Sequence, residues 1–168
     1  MKYEIIDITK YNANFFEKIG KDWALLSAAK DGKCNGMTVG WGGVGVLWNK
    51  NVFFCFVRPQ RYTKQFVDGS DTVTLSFFPE EKRDALKICG SKSGRDIDKF
   101  TSANLTPIIG KLGEVDFEES EMTIVGRKLY VQEMSEDCFI DKDVDSACYA
   151  NKDYHTVYVC EIVEVRKK

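Results

Sequence analysis

Residues 52–78 read VFFCFVRPQRYTKQFVDGSDTVTLSFF, and this stretch indicates the fold class. It opens with a dense aromatic and β-branched run at 52–57 and closes with a second strand-like run at 72–78. Between them lies one short helical segment, KQFVD, which Thr63 would cap and Gly69 would end. Strands that follow one another without long helices favour an antiparallel barrel over a doubly wound parallel sheet.

Other strand patterns flank this stretch. The apolar run at 23–29 ends at the turn-forming pair Asp31 and Gly32, so a hairpin with 35–41 is predicted. A helix that starts at Pro79 and stops at Gly90 is predicted to lie outside the sheet. Further strands are predicted at 115–117, 122–131 and 156–165, the last with Val157, Val159, Glu161, Val163 and Val165 on one face. We expect a mainly β protein with a few short peripheral helices, in one domain spanning 1–168.

The composition limits the classes of function. The chain has 168 residues, 43% hydrophobic and 30% charged, which is typical of a globular protein. Its formal net charge of -2 gives no basic field for a polyanion, so no nucleic-acid partner is expected. The N-terminal sequence lacks a secretory signal pattern, and no stretch is apolar and long enough to span a membrane. No membrane partner is expected, and the compartment is expected to be cytoplasmic.

The six cysteines show no CxxC pairing and no clustering with the single histidine, His155. No metal site is therefore expected. Three disulfides are one possibility, but reduced, partly buried thiols are the favoured interpretation. The chain also lacks a G-x-S-x-G elbow, and the glycines after residue 39 do not fit a dinucleotide fingerprint. Neither a hydrolase triad nor a Rossmann site is expected.

The turn RPQRYT at 58–63 is a candidate phosphate site. Arg58 and Arg61 offer planar forks of donors, and the following helix start would add backbone N–H groups. The alternative is a solvated basic turn that only caps the helix.

The hairpin strand offers a surface for a planar ligand. Asn35 and Thr38 are interpreted as exposed polar positions, while Gly40, Gly42 and Gly43 leave the backbone uncovered. The alternative is that these glycines mark a bulge or a barrel corner.

Two later positions are also candidates. The small-residue loop of Lys92, Ser93 and Gly94 presents an ammonium that could reach an anionic atom of a ligand. His155, before the last strand, has a titration range suited to a proton donor or hydrogen-bond partner. The alternatives are a solvated loop lysine and a structural histidine.

Four segments together resemble the flavin reductase-like family, in particular its flavoredoxin-like branch. They are NGMTVGWGGVGVLW, FVRPQRYTKQF, TLSFFPEEKRDALKICGSKSGRDIDKF and DYHTVYVCEI. The resemblance runs from Trp23 to Ile162 and implies an FMN-binding split β-barrel, antiparallel and Greek-key-like. FMN is the implied cofactor, and a homodimer with FMN near the interface is the implied assembly.

The resemblance also implies roles for individual residues. Those implied to line the flavin ring are Asn35, Met37, Thr38, Val39, Trp41, Ser76 and Phe77. Those implied to hold the ribityl phosphate are Arg58, Gln60, Arg61, Tyr62 and Thr63. Lys92, Ser93 and Gly94 match a loop that closes over the flavin. Lys92 and His155 are the implied catalytic residues, beside the ring and near its reactive side.

Three functions follow from these expectations. The first is an FMN-dependent oxidoreductase, an NAD(P)H:flavin reductase. The second is a flavoredoxin-type flavoprotein that takes electrons from a protein donor and passes them to a protein partner. The third is a non-redox barrel that binds another phosphorylated or planar ligand.

Overall fold

The computed structural model describes residues 3–168, which form ten β-strands and five α-helices. The strands are β1 (Glu4–Ile5), β2 (Ala24–Lys30), β3 (Lys33–Val39), β4 (Gly42–Leu47), β5 (Lys50–Val57), β6 (Thr72–Phe77), β7 (Pro107–Ile109), β8 (Val115–Phe117), β9 (Met122–Glu133) and β10 (Thr156–Lys167). The helices are α1 (Phe15–Gly20), α2 (Lys64–Asp68), α3 (Arg83–Ser91), α4 (Lys99–Ser102) and α5 (Lys142–Cys148). Three short 3-10 turns, Ile8–Lys10, Glu80–Lys82 and Glu136–Cys138, complete them.

Eight strands form one antiparallel sheet in the order β3-β2-β6-β9-β10-β5-β4, with β1 beside β10. The strands β7 and β8 pair separately. The sheet curls around a core that includes Phe53, Leu75, Ile124 and Tyr158. This architecture confirms the expected fold class, an antiparallel split β-barrel with short peripheral helices.

A second core lies between the outer face of the sheet and the helices. Leu25 of β2 packs there with Leu86 of α3, Phe100 of α4 and Phe117 of β8. This core fixes α3 and α4 against β3. The carboxyl end of α3 and the amino end of α4 therefore lie close to β3, the edge strand of the sheet.

The β2–β3 hairpin is confirmed. Asp31 and Gly32 have positive φ angles of 52° and 73°, and Lys30 pairs with Lys33 across them. In such a two-residue hairpin, alternate residues turn their backbone groups toward and away from the partner strand. Because β3 ends the sheet order, its outward-turned residues, Gly36 and Thr38, face an edge that no described strand covers.

Some details of this strand differ from prediction. Thr38 is half-buried rather than exposed, and its hydroxyl donates to the Leu86 carbonyl of α3. Asn35 is also buried rather than exposed. The strand ends at Val39, and Gly42 approaches the Phe54 carbonyl so closely that an added Cβ would lie 2.7 Å from that oxygen. The glycines thus shape the corner between β3 and β4.

The last strand differs from its predicted one-sided pattern. Its core-facing residues are Tyr158, Cys160 and Val165. The pairing with β9 shifts between Ile162 and Glu164. After this bulge the odd-numbered residues of β10 face the core, whereas before it the even-numbered ones do. Val165 therefore faces the core, unlike Val157 and Val159.

The helix boundaries also differ. Pro79 precedes a 3-10 turn rather than the first turn of α3. Gly90 lies within α3, which ends one residue later, at Ser91. At α2, Thr63 holds the predicted N-cap position, but its side chain makes no capping hydrogen bond.

Candidate functional site

A cavity of about 270 Å³ opens at the uncovered edge of β3. Its lining includes six of the predicted site residues: Met37, Thr38, Val39, Trp41, Arg58 and His155. Gly40 and Phe56 complete it. The strand edge supplies backbone donors and acceptors, and Trp41 supplies an aromatic wall. A planar polar molecule fits such a surface.

His155 is buried at the inner wall of this cavity. Its ring centroid lies 5.3 Å from that of Trp41, and its Nδ1 lies 2.7 Å from the hydroxyl of Tyr149. Burial and the positive charge of Arg58 lower the pKa of His155 to about 4. The imidazole is therefore neutral at physiological pH.

Arg58 does not present a free charge to the cavity. Its guanidinium pairs with Asp153 at 2.5 Å and donates to the carbonyl of Cys148 at 2.9 Å. Gln60 donates to the same carboxylate. These bonds, from Gln60 and then Arg58, lower the pKa of Asp153. Arg58 thus joins β5 to the segment before β10.

Part of the backbone of the RPQRYT turn and of the start of α2 is hydrogen-bonded locally. The Arg61 N–H donates to the Arg58 carbonyl, and the Lys64 N–H donates to the Arg61 carbonyl. The Phe66 N–H donates to the Thr63 carbonyl. The amides of Arg61, Lys64 and Phe66 are therefore occupied within the turn and the first turn of α2.

A second cavity, of about 410 Å³, lies at the other end of β3. Asn35, Tyr62, Gly94 and Lys99 are among its lining residues. The Thr63 hydroxyl donates to Asn35 Oδ1 at 2.9 Å, which ties the RPQRYT turn to β3. A Cβ on Gly94 would lie 2.4 Å from Asn35 Nδ2, so only glycine allows this close approach.

Two cations meet between the cavities, at the carboxyl end of α3. Arg61 donates to the carbonyls of Gly90 and Cys89, at 2.6 and 3.3 Å. Lys99 Nζ donates to the same Cys89 carbonyl and to Gly36 on the edge of β3, both at 3.0 Å. Burial and the charge of Arg61 lower the pKa of Lys99 to about 8, and burial lowers the pKa of Arg61. The site is therefore rich in desolvated positive charge.

Lys99 was not among the residues predicted from the sequence. It is the first residue of α4, directly after the capping residue Asp98, and such a position usually indicates a solvated side chain. The structure instead buries it at 3% exposure. Lys92, the predicted catalytic lysine, is exposed in the extended residue that follows α3. No sequence signal distinguishes these two lysines.

The remaining predicted residues fall outside both cavities. Ser76 is buried and bonds to the Thr123 hydroxyl at 3.1 Å. Phe77 packs in the barrel core against Phe15. The Ser93 hydroxyl accepts from the Arg95 N–H within its own loop. In this chain, these three residues do not line the site.

A family model described as "Flavin reductase like domain" matches residues 16–168. The chain belongs to the flavin reductase-like family. Its members are flavin-binding oxidoreductases. Among curated proteins no sequence matches the chain.

Solved structures share the fold of this flavin reductase-like domain. A flavoredoxin from Methanosarcina acetivorans has a TM-score of 0.69 and 20% identity, covering 88% of this chain and 68% of that one. An FMN-binding protein from Thermus thermophilus, with bound p-hydroxybenzaldehyde, has a TM-score of 0.69 and 18% identity, covering 97% and 81%. The NADH:FAD oxidoreductase SgcE6 from Streptomyces globisporus has a TM-score of 0.65 and 13% identity, covering 88% and 75%.

The residues of the flavin reductase-like domain fit a flavin. The edge of β3 offers N–H and C=O groups of the kind that the polar edge of a flavin ring requires, and the two cavities lie at the two ends of this strand. Arg61 and Lys99 supply positive charge for an anionic group. Among residues 3–168, no three His, Cys, Asp or Glu side chains form a possible metal site, and all six cysteines are free thiols. No described helix has the length and apolarity needed to cross a membrane.

Proposed function

We propose that this protein binds FMN along the edge of β3 and acts as an NAD(P)H-dependent flavin reductase. The observation that carries the proposal is that the edge of β3, which no described strand pairs, meets two desolvated cations, the half-buried Arg61 and the buried Lys99. Buried charges without a counter-ion are costly, and a bound anion would offset that cost. FMN combines a planar polar ring with a phosphate dianion, and so matches both features.

Bound FMN would supply the redox chemistry, accepting a hydride from NAD(P)H and carrying more negative charge on its ring afterwards. Gly36 and Thr38 would orient the ring through their outward-facing backbone groups. Lys99 would face the added charge, the role that the family resemblance gave to Lys92. Arg61 and Tyr62 would hold the phosphate end, after Arg61 exchanges at least one helix carbonyl for a phosphate oxygen, while Thr63 positions the turn through its bond to Asn35.

A third cavity adjoins the first and suits the nicotinamide donor. It has a volume of about 460 Å³ and is lined by Phe15, Phe16, Ile19, Trp41 and Val44. Trp41 lies between the two cavities and would contact both bound molecules. An apolar wall of this kind favours a planar, weakly charged ring.

A second function, electron transfer with a protein donor, is favoured by the rim of that cavity. Phe16 is 93% exposed and Trp41 is 53% exposed. Neighbouring exposed aromatic side chains are typical of a surface that a partner protein covers. A flavoredoxin-type carrier would use this rim for docking rather than for NAD(P)H.

Absorption spectroscopy of the purified protein tests both functions. We expect added FMN to bind with a shifted visible spectrum, and NADH or NADPH to bleach the flavin bands without oxygen. Bleaching only by a reduced protein donor would establish the carrier instead. FMN that stays free at millimolar protein would contradict both and favour a barrel for another ligand.

We also propose that two copies associate. Two exposed aromatic residues, Trp48 and Tyr130, form what we call the Trp48 patch. Their ring centroids lie 6.1 Å apart, so the turn between β4 and β5 and strand β9 contribute to one exposed aromatic surface. Exposed apolar patches mark association sites. The family resemblance implies a homodimer, and a second copy is the proposed occupant.

A further inference from the structure

The hydroxyl of Tyr149 lies where it can control the proton on His155. Tyr149 directly follows α5 and is only 5% exposed. Its oxygen is 2.7 Å from His155 Nδ1 and 3.5 Å from the sulfur of Met134. A tyrosine hydroxyl has one hydrogen, so it can donate to only one of these two neighbours.

The geometry decides between the two acceptors. An unprotonated imidazole nitrogen is a strong acceptor, whereas a thioether sulfur is a weak one. The contact with Nδ1 also has the shorter distance, typical of a well-formed hydrogen bond. The donor in this bond depends on the histidine tautomer, and the stronger acceptor favours a bond from the Tyr149 hydroxyl to Nδ1 of His155. A neutral imidazole whose Nδ1 accepts a hydrogen bond must carry its own hydrogen on Nε2.

Nε2 is the ring nitrogen that a molecule in the cavity can reach. Within residues 3–168, Nδ1 is the only ring nitrogen of His155 with a hydrogen-bond partner. The only wholly buried side-chain nitrogen or oxygen without a partner in that range is Ser27 Oγ. Nε2 is therefore accessible, and His155 lines the first cavity.

We propose that Tyr149 is a positioning residue that holds His155 in the Nε2–H tautomer, so that the imidazole offers a neutral hydrogen-bond donor to a molecule in the first cavity. The nature of that molecule rests on the proposed function: it would be the bound flavin or the nicotinamide. The group recognised is a hydrogen-bond acceptor, such as a carbonyl oxygen or an unprotonated ring nitrogen. His155 would orient this acceptor rather than deliver a proton to it.

The surroundings keep Tyr149 in place. Its ring packs against Phe139 and Tyr154, with centroid distances of 5.5 and 4.9 Å. The guanidinium of Arg58 lies 5.1 Å above its face. The hydroxyl therefore has little freedom to leave Nδ1.

The charges around His155 also favour a neutral ring. Arg58 and Asp153 are the charged groups that act on it, and they pair with each other. Trp41, Phe56 and Tyr149 cover the rest of the ring. No carboxylate bonds to Nδ1 among the described residues, and burial and the charge of Arg58 outweigh the charge of Asp153, so the pKa of His155 is lowered and the ring is neutral.

Nuclear magnetic resonance of the flavin-free protein tests the inference directly. His155 is the only histidine in the sequence, so ¹⁵N-labelled protein without a histidine tag gives one imidazole signal set. In wild type we expect the nitrogen shifts of a single Nε2–H tautomer, unchanged from pH 8 to pH 6. In Tyr149→Phe we expect a mixture of tautomers and protonation at a higher pH, because the bond that favours the neutral form is lost.

Tyr154→Phe is the matched control, since it removes a neighbouring hydroxyl that bonds to Asp145 instead. It should keep the wild-type tautomer. An Nδ1–H tautomer in wild type, or an Nε2–H tautomer that persists in folded Tyr149→Phe, would overturn the positioning role. These readouts need no flavin, so failure of FMN to bind would refute the proposed function without changing them.

A functional readout follows in protein that binds FMN. We expect Tyr149→Phe to slow hydride transfer about tenfold while FMN affinity changes less than about twofold, as for a lost orienting bond. His155→Gln places an amide N–H near the position of Nε2 and should retain more activity than His155→Ala. Equal loss in these two histidine variants would contradict a donor role.

Discussion

The half-buried Arg61 and the buried Lys99 share one carbonyl oxygen in this protein. Arg61 and Lys99 both donate to Cys89 at the end of α3, where the helix dipole favours positive charge. Within the described residues neither cation pairs with a carboxylate. The low pKa of Lys99 reflects this cost, and an anion at the site would raise it again.

The affinity for FMN should therefore depend on pH through Lys99. Its charge is present below its pKa of about 8 and is lost above it, so the dissociation constant should rise between pH 7 and 9, by about tenfold. The neighbouring Cys89 thiol does not titrate in this window, because burial raises its pKa to about 11. Fluorescence titrations at several pH values measure the effect.

A matched pair of lysine variants distinguishes the two candidates. Lys99→Met should bind FMN more weakly at pH 7 and show a flat pH profile. Lys92→Met, which removes an exposed lysine, should follow wild type at every pH. The reverse result would return the catalytic lysine to the position that the family resemblance implies.

His155 should make the fold sensitive to mild acid. Its pKa is about 4 in the folded protein and near 6.5 when unfolded, so between these values the unfolded chain binds more protons. Stability should then fall as the pH drops from 6.5 toward 4. Urea unfolding of wild type and His155→Gln tests this: the variant should lose less stability between pH 7 and 5. Tyr154→Phe keeps the histidine and should retain the wild-type acid sensitivity.

At the scale of elements, the long β9–β10 pair depends on a close contact. Gly126 of β9 sits opposite Ile162 at the bulge, and a Cβ there would lie 2.2 Å from the ring of Phe53. Phe53 is fully buried, so the ring cannot move without disturbing the barrel core. Gly126→Ala should cost about 2 kcal/mol of unfolding free energy. Gly43→Ala, with open space around its Cβ, should change it by less than about 0.5 kcal/mol.

Elements with local signals were predictable from the sequence. The β2–β3 hairpin followed from the turn pair Asp31 and Gly32, and α2 followed from the segment between Thr63 and Gly69. The bulge in β10 was not, because it depends on how two distant strands fit together. Propensity describes a residue's neighbours in sequence, whereas a bulge depends on neighbours in space.

The candidate site was likewise predictable only in part, where single residues or short segments marked it. Arg58 and His155 were recognised by residue type and position, Trp41 came from the family resemblance, and all three line one cavity. Lys99 was missed because its burial arises from the packing of α4 on α3. The ion pair of Arg58 and Asp153 could likewise not be predicted from the sequence, since these residues are 95 positions apart.

At the scale of the molecule, the site follows the one strand whose edge the sheet leaves open. If β3 paired with another strand and closed the barrel, the backbone groups of Gly36 and Thr38 would form hydrogen bonds with that strand. The split instead leaves these groups without a partner among the described strands, and the Gly36 carbonyl accepts from Lys99. The same architecture places the two cavities at the ends of β3, with the cations of the helical layer between them. Binding and fold therefore depend on the same open edge.

The Trp48 patch predicts the behaviour of the whole assembly. Trp48 and Asn49 occupy the turn between β4 and β5 with φ angles of 54° and 57°, a conformation that a bulky side chain adopts at a cost. Trp48→Asn should relieve this strain and also remove the main apolar side chain of the patch. We therefore expect a variant that is folded and no less stable as a monomer, with self-association weakened at least about tenfold. Sedimentation velocity over a concentration series measures this, with Leu112→Ser, an exposed apolar residue outside the patch, as the control. A wild-type protein that stays monomeric at high concentration, or a Trp48→Asn variant that dimerises as tightly as Leu112→Ser, would place the interface elsewhere or remove it.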